Sequence, residues 1–94
     1  MPSEVAYLDI PGRVARKLLE LVAVHGTPAN GGTRIEVRIS QGTLAEMVAA
    51  SRENVNRALA PLLSGGIVSH EGGRFTILDI ARLRIHARAE QRLD

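Results

Sequence analysis

The stretch SQGTLAEMVAASRENVNRALAPLL, residues 40–63, decides the fold of this 94-residue chain. It holds two amphipathic patterns, each preceded by a serine. Ser40 is the expected N-cap of a helix over residues 41–48, and Ser51 that of a helix over residues 52–63. A serine hydroxyl accepts a hydrogen bond from the N–H groups that a helix start leaves unpaired. Leu44 and Val48 give the first helix an apolar face. Val55, Ala58, Leu59 and Leu62 recur at spacings of three and four in the second. Only Ala49 and Ala50 separate the first helix from Ser51. Helices joined by so short a turn cross steeply and pack closely. That needs a small residue on the first helix, small residues in the turn and an apolar anchor one turn into the second. Ala45, the Ala49–Ala50 pair and Val55 meet those three needs. Pro61 stands late in the second helix, where it removes a hydrogen bond and can kink the last turn.

Upstream, Asp9 and Pro11 open another helical pattern, with Asp9 as the expected cap. Ile10, Val14, Leu18, Leu21 and Val22 share one face, and Arg13, Arg16, Lys17 and Glu20 the other. The pattern stops near His25-Gly26, and residues 27–33 read as a Pro/Gly/Asn loop. Residues 34–39 alternate strictly, Ile35, Val37 and Ile39 against Arg34, Glu36 and Arg38, as a half-buried strand does. Downstream, residues 67–69 and 74–78 read as strands around Glu71-Gly72-Gly73. Asp79 is then placed to cap a last helix with Ile80, Leu83 and Ala87 inward and Arg84, Arg88 and Arg92 outward. The order helix, strand, helix, helix, hairpin, helix is an α+β arrangement, a winged helix-turn-helix. Residues 9–94 are expected to form that domain, with residues 1–8 a linker remnant.

Composition fits one ordinary domain. Apolar residues are 45% and charged residues 23% of the chain, which argues against disorder. Tyr7 and Phe75 are the only aromatics, so aliphatic side chains must build the core. The net charge is only +2, yet all twelve basic residues except Lys17 are arginine. Arginine suits bidentate contact with phosphate and guanine, and a GC-rich coding sequence gives the same bias. There is no cysteine, hence no disulfide or thiolate metal site. His25, His70 and His86 are dispersed, with no ligand spacing. No nucleophile–base set, phosphate-cradling loop or carboxylate pair is present, so an enzyme is not expected. Nothing resembles a signal peptide or a membrane span, and a cytoplasmic protein is expected.

On the second helix of the pair, Arg52, Glu53, Asn56 and Arg57 fall near the start, on or beside the face opposite Val55, Leu59 and Leu62. The start of such a helix reaches base edges. Arginine can donate twice to guanine O6 and N7, and glutamate can accept from cytosine N4.

The residues here resemble the Crp–Fnr family of transcription regulators. Ser51-Arg52-Glu53-Asn54-Val55-Asn56-Arg57-Ala58-Leu59 is similar to that family's S-R-E-T-V-x-R-x-L recognition helix. Leu8-Asp9-Ile10-Pro11-Gly12-Arg13-Val14-Ala15 is similar to its L-D-V-x-G-R-[IV]-A segment, and Gly66-Ile67-Val68 with Gly73-Arg74 match its wing. The resemblance implies sequence-specific binding of double-stranded DNA by a bacterial transcription regulator. It implies that residues 52–63 enter the major groove of a TGTGA-like half-site, with Arg52, Glu53 and Arg57 on bases. It implies phosphate contacts from Ser40, Gln41, Ser51, Asn54, Gly73 and Arg74. Palindromic DNA is the implied partner, bound by a dimer of the intact regulator, with RNA polymerase a further expected partner and the isolated domain a monomer. No cofactor is expected in this chain, because the family's effector-binding part has no counterpart in its residues. Two departures stand out: Ala49 where the family often has Gly, and Asn54 where it usually has Thr.

Simpler roles compete with each assignment. Arg52 and Arg57 can be solvated helix charges, and Glu53 can favour the helix dipole. Ser40 and Ser51 are caps before they are phosphate ligands. Arg74 can be a plain hairpin charge, and Arg84, Arg88 and Arg92 read first as a solvated face. The competing function is a winged-helix protein–protein interaction module without DNA binding, which has no need of Arg52, Glu53 and Arg57 together.

Overall fold

The computed structural model describes residues 9–89, so the expected linker at residues 1–8 and the arginine at 92 lie outside the described residues. Helix α1 spans Ile10–His25. Strands β1, Gly26–Ala29, and β2, Gly32–Ile35, follow as a hairpin. Helices α2, Gln41–Met47, and α3, Arg52–Ser64, come next. Strands β3, Val68–Glu71, and β4, Arg74–Ile77, form the wing, and α4 spans Ile80–Ala89. The four strands make one antiparallel sheet in the order β1-β2-β4-β3. This is the winged helix-turn-helix architecture that the sequence predicts.

Three of the expected caps form. Ser40 Oγ accepts from the Thr43 N–H at 3.0 Å, Ser51 Oγ from the Asn54 N–H at 3.1 Å, and Asp79 Oδ1 from the Arg82 N–H at 3.1 Å. Asp9 does not cap α1. Its φ is −97° and ψ −4°, which turns the side chain away from the first-turn N–H groups, and its carboxylate instead faces Arg13 Nη1 at 3.5 Å. Helix α3 continues through Pro61 to Ser64.

The first part of the sheet departs from the sequence reading. Residues 26–29, placed largely in a loop, are strand β1, and residues 36–39, placed in a strand, are not. Pro28 is tolerated because β1 is an edge strand and owes no outward N–H. Asn30-Gly31 supplies the turn, with Gly31 at φ +81°. After Ile35 the chain leaves the sheet, and two of its N–H groups find partners outside a strand ladder. Glu36 N–H donates to the His25 carbonyl at 3.0 Å, and Ile39 N–H to the Gly73 carbonyl at 2.9 Å. Val37 is therefore exposed, while Ile35 and Ile39 remain buried.

One apolar core joins the four helices and strands β2, β3 and β4. Ile10, Val14, Ala15 and Leu18 of α1 meet Leu44 and Ala45 of α2, and Val55, Ala58, Leu59 and Leu62 of α3. Ile35, Phe75 and Ile77 close it from the sheet, and Leu83 and Ala87 from α4. Among the described residues no polar or charged side chain is buried. The charged side chains of the described residues thus all keep some exposure to solvent.

Candidate nucleic-acid interface

The geometry of α3 is set by its junction with α2. Ala45 is buried at the crossing, as close approach requires. The Ala49 N–H donates to the Glu46 carbonyl at 3.3 Å and the Ala50 N–H to Ala45 at 3.0 Å. Between them the chain reverses through Ala49 at φ +57°, the one non-glycine residue with positive φ among those described. A Cβ disfavours that region by about 1 kcal/mol or more. Arg13 of α1 reaches across and donates to the carbonyls of Val48 and Ala49, the latter at 3.2 Å. A cation at the carbonyl end of α2 complements its dipole and satisfies oxygens that the helix end leaves open. Arg13 thus holds the turn that aims α3.

On α3, Val55, Ala58, Leu59 and Leu62 face inward, as expected. Arg52, Glu53, Asn56 and Arg57 are exposed on the opposite side of its first turns. Asn54 is half-buried, and its backbone N–H is taken by Ser51. Glu53 lies in the first turn, where a carboxylate is favoured by the helix dipole. Among the described residues, the side chains of Arg52, Glu53 and Asn56 have no hydrogen-bond or ion-pair partner.

The wing is brought against the start of α2. Gly72 and Gly73 form its turn with φ +61° and +78°, a pair of values that glycine adopts without a Cβ penalty. Through the Ile39–Gly73 hydrogen bond, the turn sits one residue from Ser40. His70 of β3 stacks on Phe75 at 3.9 Å, and its Nε2 lies 3.0 Å from the Ile39 carbonyl. Ser40 is exposed, Gln41 half-buried and Gly73 exposed along this edge. Arg74 is partly committed: its Nε donates to the Glu36 carbonyl at 2.7 Å and stands 3.8 Å from the Glu36 carboxylate. That carboxylate is held below its ordinary range, first by the Thr27 hydroxyl and then by Arg34, which donates to it at 3.0 Å.

Sequence reasoning missed Arg38. Its stem runs beside the wing turn, about where a Gly73 side chain would be, at 3.5 Å from an ideal Cβ there. It is exposed and makes no hydrogen bond or ion pair to another described residue. In the sequence it was only the polar half of an alternation. No local signal marks it, because its place depends on the pairing between residue 39 and residue 73. An open cleft of about 220 Å³ between α1 and α2, lined in part by Arg13, Arg16 and Lys17, is smaller than ordinary ligand pockets. Arg13 there donates to the Val48 and Ala49 carbonyls, and Lys17 to Glu20 at 2.7 Å.

A family model described as a Crp-like helix-turn-helix domain matches residues 12–85, which include α1 from its third residue, the α2–α3 pair and the wing. The chain belongs to the Crp-like helix-turn-helix family. This Crp-like domain is 40% identical over 86 residues to a CRP-like cAMP-activated global transcriptional regulator of Mycobacterium tuberculosis, covering 92% of the chain and 38% of that protein. It is 29% identical to a CRP-family transcriptional regulator of Thermus thermophilus, with a TM-score of 0.73 over 87% of the chain and 43% of the other. The CO-dependent transcription factor CooA of Carboxydothermus hydrogenoformans shares the fold, with a TM-score of 0.80 at 19% identity, covering 88% of the chain and 38% of CooA. The chain thus spans less than half the length of each of these relatives. Within the Crp-like match lie Arg38, Arg52, Glu53, Arg57 and Arg74, so these residues belong to the shared domain.

Proposed function

We propose that this Crp-like domain binds double-stranded DNA sequence-specifically, as the DNA-reading part of a bacterial transcription regulator. The observation that carries the reading is the exposed, unengaged Arg52–Glu53 pair at the start of a helix that follows the short α2–α3 turn. Arg52, Glu53 and Arg57 read bases in the major groove. Ser40, Gln41, Ser51, Asn54, Gly73, Arg74 and Arg38 position the domain on phosphates. The half-site is TGTGA-like, and two copies occupy a palindrome about one helical turn apart. RNA polymerase is the further partner of the intact regulator. The domain needs no cofactor for this contact and performs no catalysis.

Titration against duplexes with and without a TGTGA palindrome, at two salt concentrations, tests this. Tighter binding to the palindrome, weakening as salt rises, is the expected result. Arg52→Ala should lose about 1–3 kcal/mol of discrimination at one G·C pair. Arg38→Ala should weaken all duplexes alike and lower the salt slope by about 1. Equal affinity for both duplexes without salt dependence would exclude DNA reading and leave the protein-interaction module.

A further inference from the structure

We propose that Asn56 is a fourth base-reading residue of α3 and that it reads an adenine. The inference rests on the reading of α3 as a major-groove helix and specifies it further.

Helical geometry carries the first step. Successive residues turn by about 100° around an α-helix. With Arg52 set at zero, Asn56 stands at about 40°, Glu53 at about 100° and Arg57 at about 140°. Asn56 therefore lies between the two arginines, as close to their bisector as Glu53. The buried residues Val55, Ala58, Leu59 and Leu62 centre on the far side. No rotation of α3 can present both Arg52 and Arg57 to the floor of a groove and turn Asn56 away. Along the axis Asn56 is about 6 Å past Arg52 and only about 1.5 Å short of Arg57. Asparagine is short, and the centre of the facing stripe is where a short side chain can reach. Ala60, exposed next along that stripe, adds no bulk to hold the helix off.

Local energetics carry the second step. Asparagine is a poor residue for a helix interior, because its amide competes for nearby backbone groups. Asn56 is the fifth residue of α3, beyond the cap that Ser51 already provides. Its side chain is exposed and has no hydrogen-bond partner among the described residues. An alanine or glutamate there would serve the helix better. Local rules broken without structural return are expected at functional sites, and Asn56 is such a break.

Chemistry carries the third. A carboxamide offers one acceptor and one donor side by side. Adenine presents the complementary pair in the major groove, the N6 amino group and N7. Arg52, Arg57 and Glu53 cover guanine and cytosine, so Asn56 supplies what those three lack.

The test is selection of binding sites from a randomised half-site library by the wild-type chain, Asn56→Ala and Asn56→Arg. Circular dichroism confirms that each variant is folded. The wild type should enrich adenine at one position, and Asn56→Ala should lose that preference by roughly 5- to 100-fold there alone. Asn56→Arg should move the same position to guanine. An unchanged motif from Asn56→Ala overturns the proposal while DNA reading stands. Uniform weakening on all sites makes Asn56 a phosphate contact and overturns it as well. Loss of preference for a base other than adenine overturns the adenine assignment. No motif from the wild type overturns DNA reading, and this proposal with it.

Discussion

Ala49 shows how much a single residue can reveal and conceal. The sequence placed it in a turn that wants small residues, and size was met. What the turn also wants is positive φ, and Ala49 adopts +57°. The Arg13 hydrogen bonds to Val48 and Ala49 hold the reversal in place against that penalty. Ala49→Gly should therefore stabilise the domain by about 1 kcal/mol, partly offset by the greater freedom of glycine in the unfolded chain. Denaturant unfolding of the two proteins checks this, and a midpoint equal to or below wild type would show that the turn is relaxed. The serine caps and Asp79 were legible because a cap is a local device of three or four residues. Asp9 has the same local look, yet Arg13 one turn later draws its carboxylate away. Arg38 was not legible at all, since its neighbour across the wing is 35 residues distant.

At the scale of elements, α3 is the better read and the first hairpin the worse. The inward face of α3, its start and its end within one residue follow from spacing alone. The strand expected over residues 34–39 shares its pattern with a true strand, because Ile35 and Ile39 are both buried. Alternation reports which side chains go inward, not which backbone groups find strand partners. The edge strand Gly26–Ala29 lacks a pattern because it has little to bury, and only Asn30-Gly31 marks the turn. Pro61 is the element-scale anomaly that persists. It lies in the third turn of α3, is exposed and cannot donate to the Arg57 carbonyl four residues back. Pro61→Ala should restore that bond and raise stability by roughly 1–3 kcal/mol, less what the loss of proline stiffness in the unfolded chain takes back. Thermal unfolding measures it. Selectivity among half-sites should be untouched, since Pro61 lies beyond the reading turns. A lower melting temperature would mean that the proline is needed to shape the helix end.

At the scale of the whole molecule, the reading helix and the wing share one core, so neither folds without the other. The sequence supplied most of the core residues but not the β2–β4 pairing that joins the two halves, because that register links residues 33–34 to residues 76–77. Phe75 is the keystone of that joint. It is fully buried, stacks on His70 and packs in the cluster with Leu18 and Leu59. Removing a buried phenylalanine ring costs about 3–5 kcal/mol, out of the 5–15 kcal/mol that holds a typical domain. Phe75→Ala should therefore lower the melting temperature by at least roughly 12 °C at about 4 °C per kcal/mol. With a single core the loss cannot be confined to the wing. Amide signals of Ile77 in β4 and of Leu59 in α3 should disappear at one common midpoint, in the variant as in the wild type. Early loss of the Ile77 signal with Leu59 retained would show a wing that unfolds alone. Arg74 would then be held on a mobile hairpin, and the wing's phosphate contacts would carry an ordering cost on every encounter with DNA.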